Sequence, residues 1–276
     1  MGVGAQYSEV VVGGLKTACL TRTQLAALMV SDCLAARNTE CAPKLVFSTN
    51  GNSIARAALD ADFRRRHMAA DLLHADGQPV VLASRLLTRS PIPERSATTD
   101  FFHDAAAAAS ERGLRFFLLG GTEAANEACA RVLQHAYQGL QIAGRHHGYF
   151  SSDEEAAICA EINKSNADVV WVGLGVPLEQ SFCLRNKLRL RAGWLMTAGG
   201  CFNFFTGAYA RAPRWMQNAG LEWLYRVWKE PRRLAWRYAV TNPVALFMLL
   251  TRTYSISNRR AHISVAQAAR LGSKPA

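Results

Sequence analysis

Apolar runs alternate with segments of helical period from about residue 44 to residue 200. This is the rhythm of an α/β fold, a parallel sheet whose strands are joined by helices lying on both faces. The pattern predicts strands at Lys44 to Ser48, Asp71 to His74, Leu114 to Leu119, Leu140 to Ala143, Asp168 to Val172 and Trp194 to Ala198. Helices are predicted at Ile54 to Leu59, Pro79 to Leu87, Phe101 to Arg112, Glu123 to His135, Asp153 to Asn163 and Pro177 to Leu188. Ahead of them, EVVVGGLK reads as a hairpin, and Thr23 to Ala36 as a helix that Thr23 can cap.

The rhythm changes near residue 205, which divides the chain into an α/β body over 1–204 and a helical appendage over 205–276. From Phe205 to Ala276 there are twelve Lys and Arg against two Glu, a net +10 of the chain's +11. Trp215, Trp223, Trp228 and Trp236 lie in the same stretch. Basic residues mixed with Trp and Tyr suit an anionic membrane surface. Arg226, Lys229, Arg233 and Arg237 would form one stripe if a single helix ran through them, although Pro231 can start a second helix there.

The apolar run Val244 to Leu250 falls far short of the roughly 20 residues of a spanning helix, so no transmembrane segment is expected. The N-terminus has no basic stretch followed by a long apolar run, so the expected location is cytoplasmic, peripheral on the inner face of the membrane. Seven scattered cysteines, without a C-x-x-C pair, suggest reduced thiols rather than disulfides or a zinc site.

In a doubly wound sheet, ligands bind at the carboxyl ends of the strands. The loops expected there are Ser48 to Asn52, His74 to Pro79, Gly120 to Thr122, Gly173 to Gln180 and Ala198 to Gly207. Asp76 in HADGQP is placed to act as a base, with Gly77 beside it allowing close approach of a ligand. The local sequence alone favours a plainer role for Asp76, as a helix cap or Asx turn.

Gly120 and Gly121, like Gly173 and Gly175, stand between strand and helix, where free N–H groups and the helix dipole can hold a diphosphate. Neither loop completes a dinucleotide fingerprint. Glu179 reads locally as a dipole partner, and His146 and His147 as loop residues rather than metal ligands.

Together HADG, FFLLGG, HHGYF, DVVWVGLGVPLEQ, AGGCFNF and RAPRWMQNAGLEWLYRVWKEPRRLAWRY resemble, in that order, the WecG/TagA/CpsF family, glycosyltransferase family 26. FSTNGN and GVPLEQ are similar to its GumM-like branch, which builds exopolysaccharide repeat units. The resemblance spans residues 44 to 243 or so. It implies a Rossmann-like body and inverting transfer from a UDP-sugar, glucose being favoured, to a polyprenyl-diphosphate-linked saccharide, with no cofactor and no obligatory metal. N-acetylmannosamine or its uronic acid is the alternative donor sugar within the family.

The resemblance makes Asp76 the general base, lines the site with Ser48 and Asn50, and sets Glu179 or Gln180 on the reacting sugars. It brings Arg226, Arg233 and Arg237 to the diphosphate, with Gly199, Gly200 and Asn203 in the adjoining loop. Asn203 stands where many relatives carry Asp, so that loop lacks a carboxylate. An inverting transfer needs one base for the acceptor hydroxyl, and departing UDP must be stabilised by N–H groups or cations.

Two rival readings use the same residues. A UDP-sugar epimerase or dehydrogenase would share the layout, but the incomplete fingerprint and the interfacial tail count against it. Binding of nucleic acid through the basic tail is the weaker rival, because no nucleic-acid motif accompanies the charge. Self-association into a homo-oligomer stays open.

Overall fold

The computed structural model describes residues 7–39, 41–207 and 209–256, apart from the side chain of Arg233. Arg259, Arg260, Arg270 and Lys274 of the basic tail lie outside the described residues. The chain opens with a hairpin, β1 (Glu9–Val12) and β2 (Leu15–Ala18), turned by Gly13 and Gly14 at φ 59° and 84°. Left-handed values at both turn residues match the twist of a tight hairpin and favour glycine there. Helix α1 (Arg22–Ala36) follows, capped by Thr21 instead of the expected Thr23. Thr21 accepts from the Gln24 N–H while Gln24 reaches back to the Thr21 N–H, a reciprocal pair that Thr23 inside the first turn is not placed to make.

The body then alternates as β3 (Lys44–Thr49), α2 (Gly51–Leu59), α3 (Ala61–Met68), β4 (Leu72–Ala75), α4 (Gln78–Leu87) and α5 (Thr98–Arg112). It continues with β5 (Arg115–Gly120), α6 (Glu123–Ala136), β6 (Gln141–His146), α7 (Glu155–Ser165), β7 (Val169–Gly173), α8 (Leu178–Asn186) and β8 (Trp194–Thr197). Strands β3 to β8 form one parallel sheet in the order β4-β3-β8-β7-β5-β6. Helix α3 was not expected, because ADFRRRHM buries only Phe63 and His67 and shows little apolar period.

Burial on both faces explains the continuous apolar strands. In β5, Phe116 and Leu118 join a core with Trp171 and Phe102, whereas Phe117 and Leu119 join the opposite core with Phe47 and Phe182. Phe102 stacks on Trp171 with ring centroids 3.9 Å apart. A one-residue slip of the strand would exchange the two faces, so these large side chains fix the register that delivers each loop to the sheet edge.

After β8 come α9 (Cys201–Phe205), α10 (Arg214–Asn218), α11 (Glu222–Lys229) and α12 (Pro231–Thr251). Helix α12 packs on α2 and α4, and β9 (Tyr254–Ser255) then adds an antiparallel strand to β1. The continuous basic stripe is broken, because α11 ends at Lys229, Glu230 leaves helical geometry at φ −134°, and Pro231 starts α12. Among the described residues no helix is long and apolar enough to cross a membrane.

Candidate active site

The five expected loops meet along the carboxyl edge of the sheet, since β4, β3, β8, β7 and β5 are consecutive neighbours. Asn50 closes β3 and caps α2, its Oδ1 accepting from the Ser53 N–H at 3.0 Å. Its Nδ2 donates to Asp76 Oδ2 at 2.9 Å. One amide therefore serves two loops.

Asp76 follows β4, and its Oδ1 accepts from the N–H of Thr98, the first residue of α5, at 2.8 Å. It does not cap the helix after it, because the N-cap of α4 is Gly77 and no side chain bonds there. The N–H groups of Asp76 and Gly77 both donate to the Thr49 carbonyl, at 3.0 and 3.2 Å. Gly77 lies so close to Asn50 that an added Cβ would stand 3.1 Å from the Asn50 Cα. Ser48 sits inside β3, paired with His74, one step short of the crevice.

The glycines at the ends of β5 and β7 are required by close approach. Gly120 and Gly173 are register partners, and a Cβ on Gly120, at φ 134°, would fall 2.2 Å from the Gly173 carbonyl oxygen. Gly121, Gly175 and Gly199 also take left-handed backbone, at φ 66°, 78° and 52°, and Gly200 opens α9. The expectation of free N–H groups fails at Gly121 and Gly175. Gly121 donates to the Gly173 carbonyl, while Gly175 and Gly199 both donate to Glu179 Oε2, at 3.2 and 2.9 Å.

Glu179 is thus a clasp between the loops after β7 and β8, and it is only 3% exposed. Burial raises its pKa to about 7, against the pull of the two N–H groups, and the charge of Asp76 adds to the rise. Gln180 is as deeply buried, and its Oε1 has no hydrogen-bond partner. Asn203 lies in α9 with its carbonyl accepting from Tyr209 and Thr206. Among the described residues no group of three or more His, Cys, Asp or Glu is arranged to hold a metal ion. The His146 ring turns to the His147 carbonyl at 2.8 Å, and His147 accepts from the Tyr149 N–H.

Of the expected arginines, Arg226 reaches the rim's neighbourhood, its guanidinium 5.6 Å from the Phe204 ring of α9. Arg237 lies 4.8 Å from the ring of its neighbour Tyr238 and not over a rim residue. The side chain of Arg233 is outside the described set.

Sequence reasoning missed Arg95. Its Nε donates to the Asp76 carbonyl at 2.7 Å, and its other arm pairs with Glu222 of α11, also at 2.7 Å. It missed Asn126 as well, whose Nδ2 serves the carbonyls of Leu118, Gly120 and His146 and so ties together the ends of β5 and β6. Asp100 is a third omission. Burial pushes this carboxyl up, but a hydrogen bond and ion pair from Arg211 prevail and hold it below its ordinary value. The links of Arg95 and Asp100 join the body to the segment after residue 205, and none of the three residues carries a local sequence signature.

The model of the glycosyl transferase WecG/TagA/CpsF family matches residues 10–259. The chain belongs to this family. It is therefore a glycosyltransferase, which implies a sugar donor and a saccharide acceptor. The match covers the carboxyl-edge loops and helices α9 to α12 alike.

Proposed function

We propose that this glycosyltransferase is an inverting enzyme that moves a hexose from a UDP-sugar, UDP-glucose first, to a polyprenyl-diphosphate-linked saccharide. It works in bacterial exopolysaccharide biosynthesis, peripherally on the inner face of the cell membrane. The observation that supports the chemistry most is the setting of Asp76. Its carboxylate is not spent on α4 but is oriented by Asn50 and the Thr98 N–H at the sheet's carboxyl edge.

In the proposed reaction the acceptor hydroxyl oxygen bonds to the anomeric carbon as its proton passes to Asp76. The bond from that carbon to the UDP oxygen breaks on the opposite side, and UDP departs as an anion. The starts of α6 and α8 and the Arg226 guanidinium meet its charge. Trp215, Trp228 and Trp236, 65%, 72% and 78% exposed, support attachment of the 205–276 appendage to a lipid surface.

The test is a panel of UDP-sugars against prenyl-diphosphate mono- and disaccharides, analysed by mass and NMR. Transfer of glucose with inversion, undiminished by EDTA, is expected. Preference for UDP-N-acetylmannosamine would redirect the donor assignment, and activity that returned only with added magnesium or manganese would overturn metal independence.

A further inference from the structure

We propose that a cleft between α4, α5 and α10, beside the Asp76 loop, seats the neutral saccharide portion of the acceptor. The inference rests on the transferase reading above and specifies where that enzyme holds the sugar to be extended. The cleft has a volume of about 340 Å³, within the range of ~300–1,000 Å³ usual for small-molecule sites. Its wall includes Gln78 and Arg85 of α4, Arg95, Asp100 of α5, and Gln217 and Asn218 of α10. Gln78 follows Asp76 by two residues, and Arg95 donates to the Asp76 carbonyl. The cleft and the candidate base therefore share a loop.

The wall is rich in charge, yet most of that charge is already committed. Arg95 pairs with Glu222, Asp100 with Arg211 and Arg22 with Asp104, which leaves Arg85, on the Pro93 carbonyl at 2.6 Å, as the cation of this wall without a carboxylate partner among the described residues. Gln217 is occupied by Arg211 and the Ala212 carbonyl. A phosphate seeks spare cations, and this wall offers few.

Gln78 and Asn218 are different. Neither side-chain amide has a hydrogen-bond partner among the described residues, both residues line the cleft, and each amide carries two donors and an acceptor. A sugar hydroxyl also donates and accepts, so two unpartnered amides lining one cleft match a neutral glycan. Their separation is set by packing, since the turn at Gly220 lies against Pro79 and Gln78. Because Asn218 comes from α10, the site is complete only with the segment after residue 205 folded against the body.

The test uses the full chain with saturating UDP and follows cellobiose by saturation-transfer NMR, with pyrophosphate binding as the anion control. Cellobiose should bind the wild type, and its affinity should fall about tenfold or more in Gln78→Ala/Asn218→Ala, for two lost hydrogen bonds. Asn218→Trp, which fills the cleft from an exposed helix position, should do the same. Pyrophosphate binding and melting temperature should not change in either variant.

Absence of cellobiose binding to the wild type, or equal binding by the variants, overturns the assignment. Parallel loss of pyrophosphate identifies an anion site and overturns it too. Failure of the transferase reading is seen separately, as intact cellobiose binding without sugar transfer in the donor and acceptor panel.

Discussion

The sheet edge and the helices after residue 205 handle their polar and apolar groups in opposite ways. At the edge, Asp76 and Glu179 each accept two hydrogen bonds from groups fixed by strand ends and helix starts. In α10 to α12, large aromatic side chains remain in solvent, and Lys229 lies over the rings of Tyr225 and Trp228, with no carboxylate partner among the described residues. Fixed partners at the edge suit chemistry that needs geometry held in advance. Unspent aromatic surface suits a region completed by something outside the chain.

The largest effect should come from the edge. Asp76→Asn retains an oxygen for the Thr98 N–H but cannot take a proton, so turnover should fall by roughly 10²–10⁴. UDP affinity should hold, and any stability loss should stay within about 1 kcal/mol. Near-normal turnover would reduce Asp76 to a brace between Asn50 and α5 and erase the contrast with the appendage.

Glu179 sharpens the contrast within the edge itself. Its folded pKa of about 7 lies above its ordinary 4.5, so the folded state keeps a proton that the unfolded chain releases between those values. The stability linked to that proton is full below pH 4.5 and is lost as pH rises through 7, an effect on the order of 3 kcal/mol. Glu179→Gln keeps an acceptor for Gly175 and Gly199 without titrating. The melting temperature of the variant should therefore gain on that of the wild type as pH is raised from 5 to 8, and parallel curves would reject the buried clasp.

The legibility of these regions in the sequence follows from the range of their interactions. All six sheet strands were predicted within a few residues of their observed ends, because period and burial are local. So were the glycine loops, since left-handed backbone selects glycine wherever it occurs. The cap of α1 was displaced by two residues, since Thr21 and Thr23 are both plausible from composition and only the reciprocal bond with Gln24 decides.

Interactions across long separations were not legible. Thr98 lies 22 residues after Asp76, Glu222 lies 127 after Arg95, and β9 pairs with a strand some 240 residues earlier. GVPLEQ by itself reads Glu179 as a dipole partner and the resemblance sets Glu179 or Gln180 on the sugars, but nothing in either announces that Gly199 will arrive beside Glu179.

For the appendage, the expected effect is next in size. Trp228→Ala and Trp236→Ala remove exposed rings that the membrane reading buries in the lipid interface. Each should weaken binding to anionic vesicles on the order of tenfold, with UDP affinity unchanged. Deletion of the chain after residue 205 should abolish binding. Equal partitioning of the variants and wild type in a sedimentation assay would leave the exposed aromatics without this role.

The smallest effect is expected where the two regions meet. Arg95 holds the Asp76 carbonyl with one nitrogen and Glu222 with another, and both members of the ion pair are largely shielded from solvent. Glu222→Gln weakens that pair without emptying its space, so the Asp76 loop keeps its bond to Arg95 but loses part of the guanidinium's anchorage. A positioning role predicts a fall in kcat of about threefold to tenfold with donor KM little changed, since the base is displaced and the donor is not. Arg95→Lys, which keeps the charge but cannot reach both partners with one planar group, should produce a similar fall. In the double variant the two losses should not add, leaving a coupling of about 1 kcal/mol in a thermodynamic cycle on kcat. Additive losses would mean that Arg95 and Glu222 act independently, and that the folded appendage exerts no hold on the candidate base.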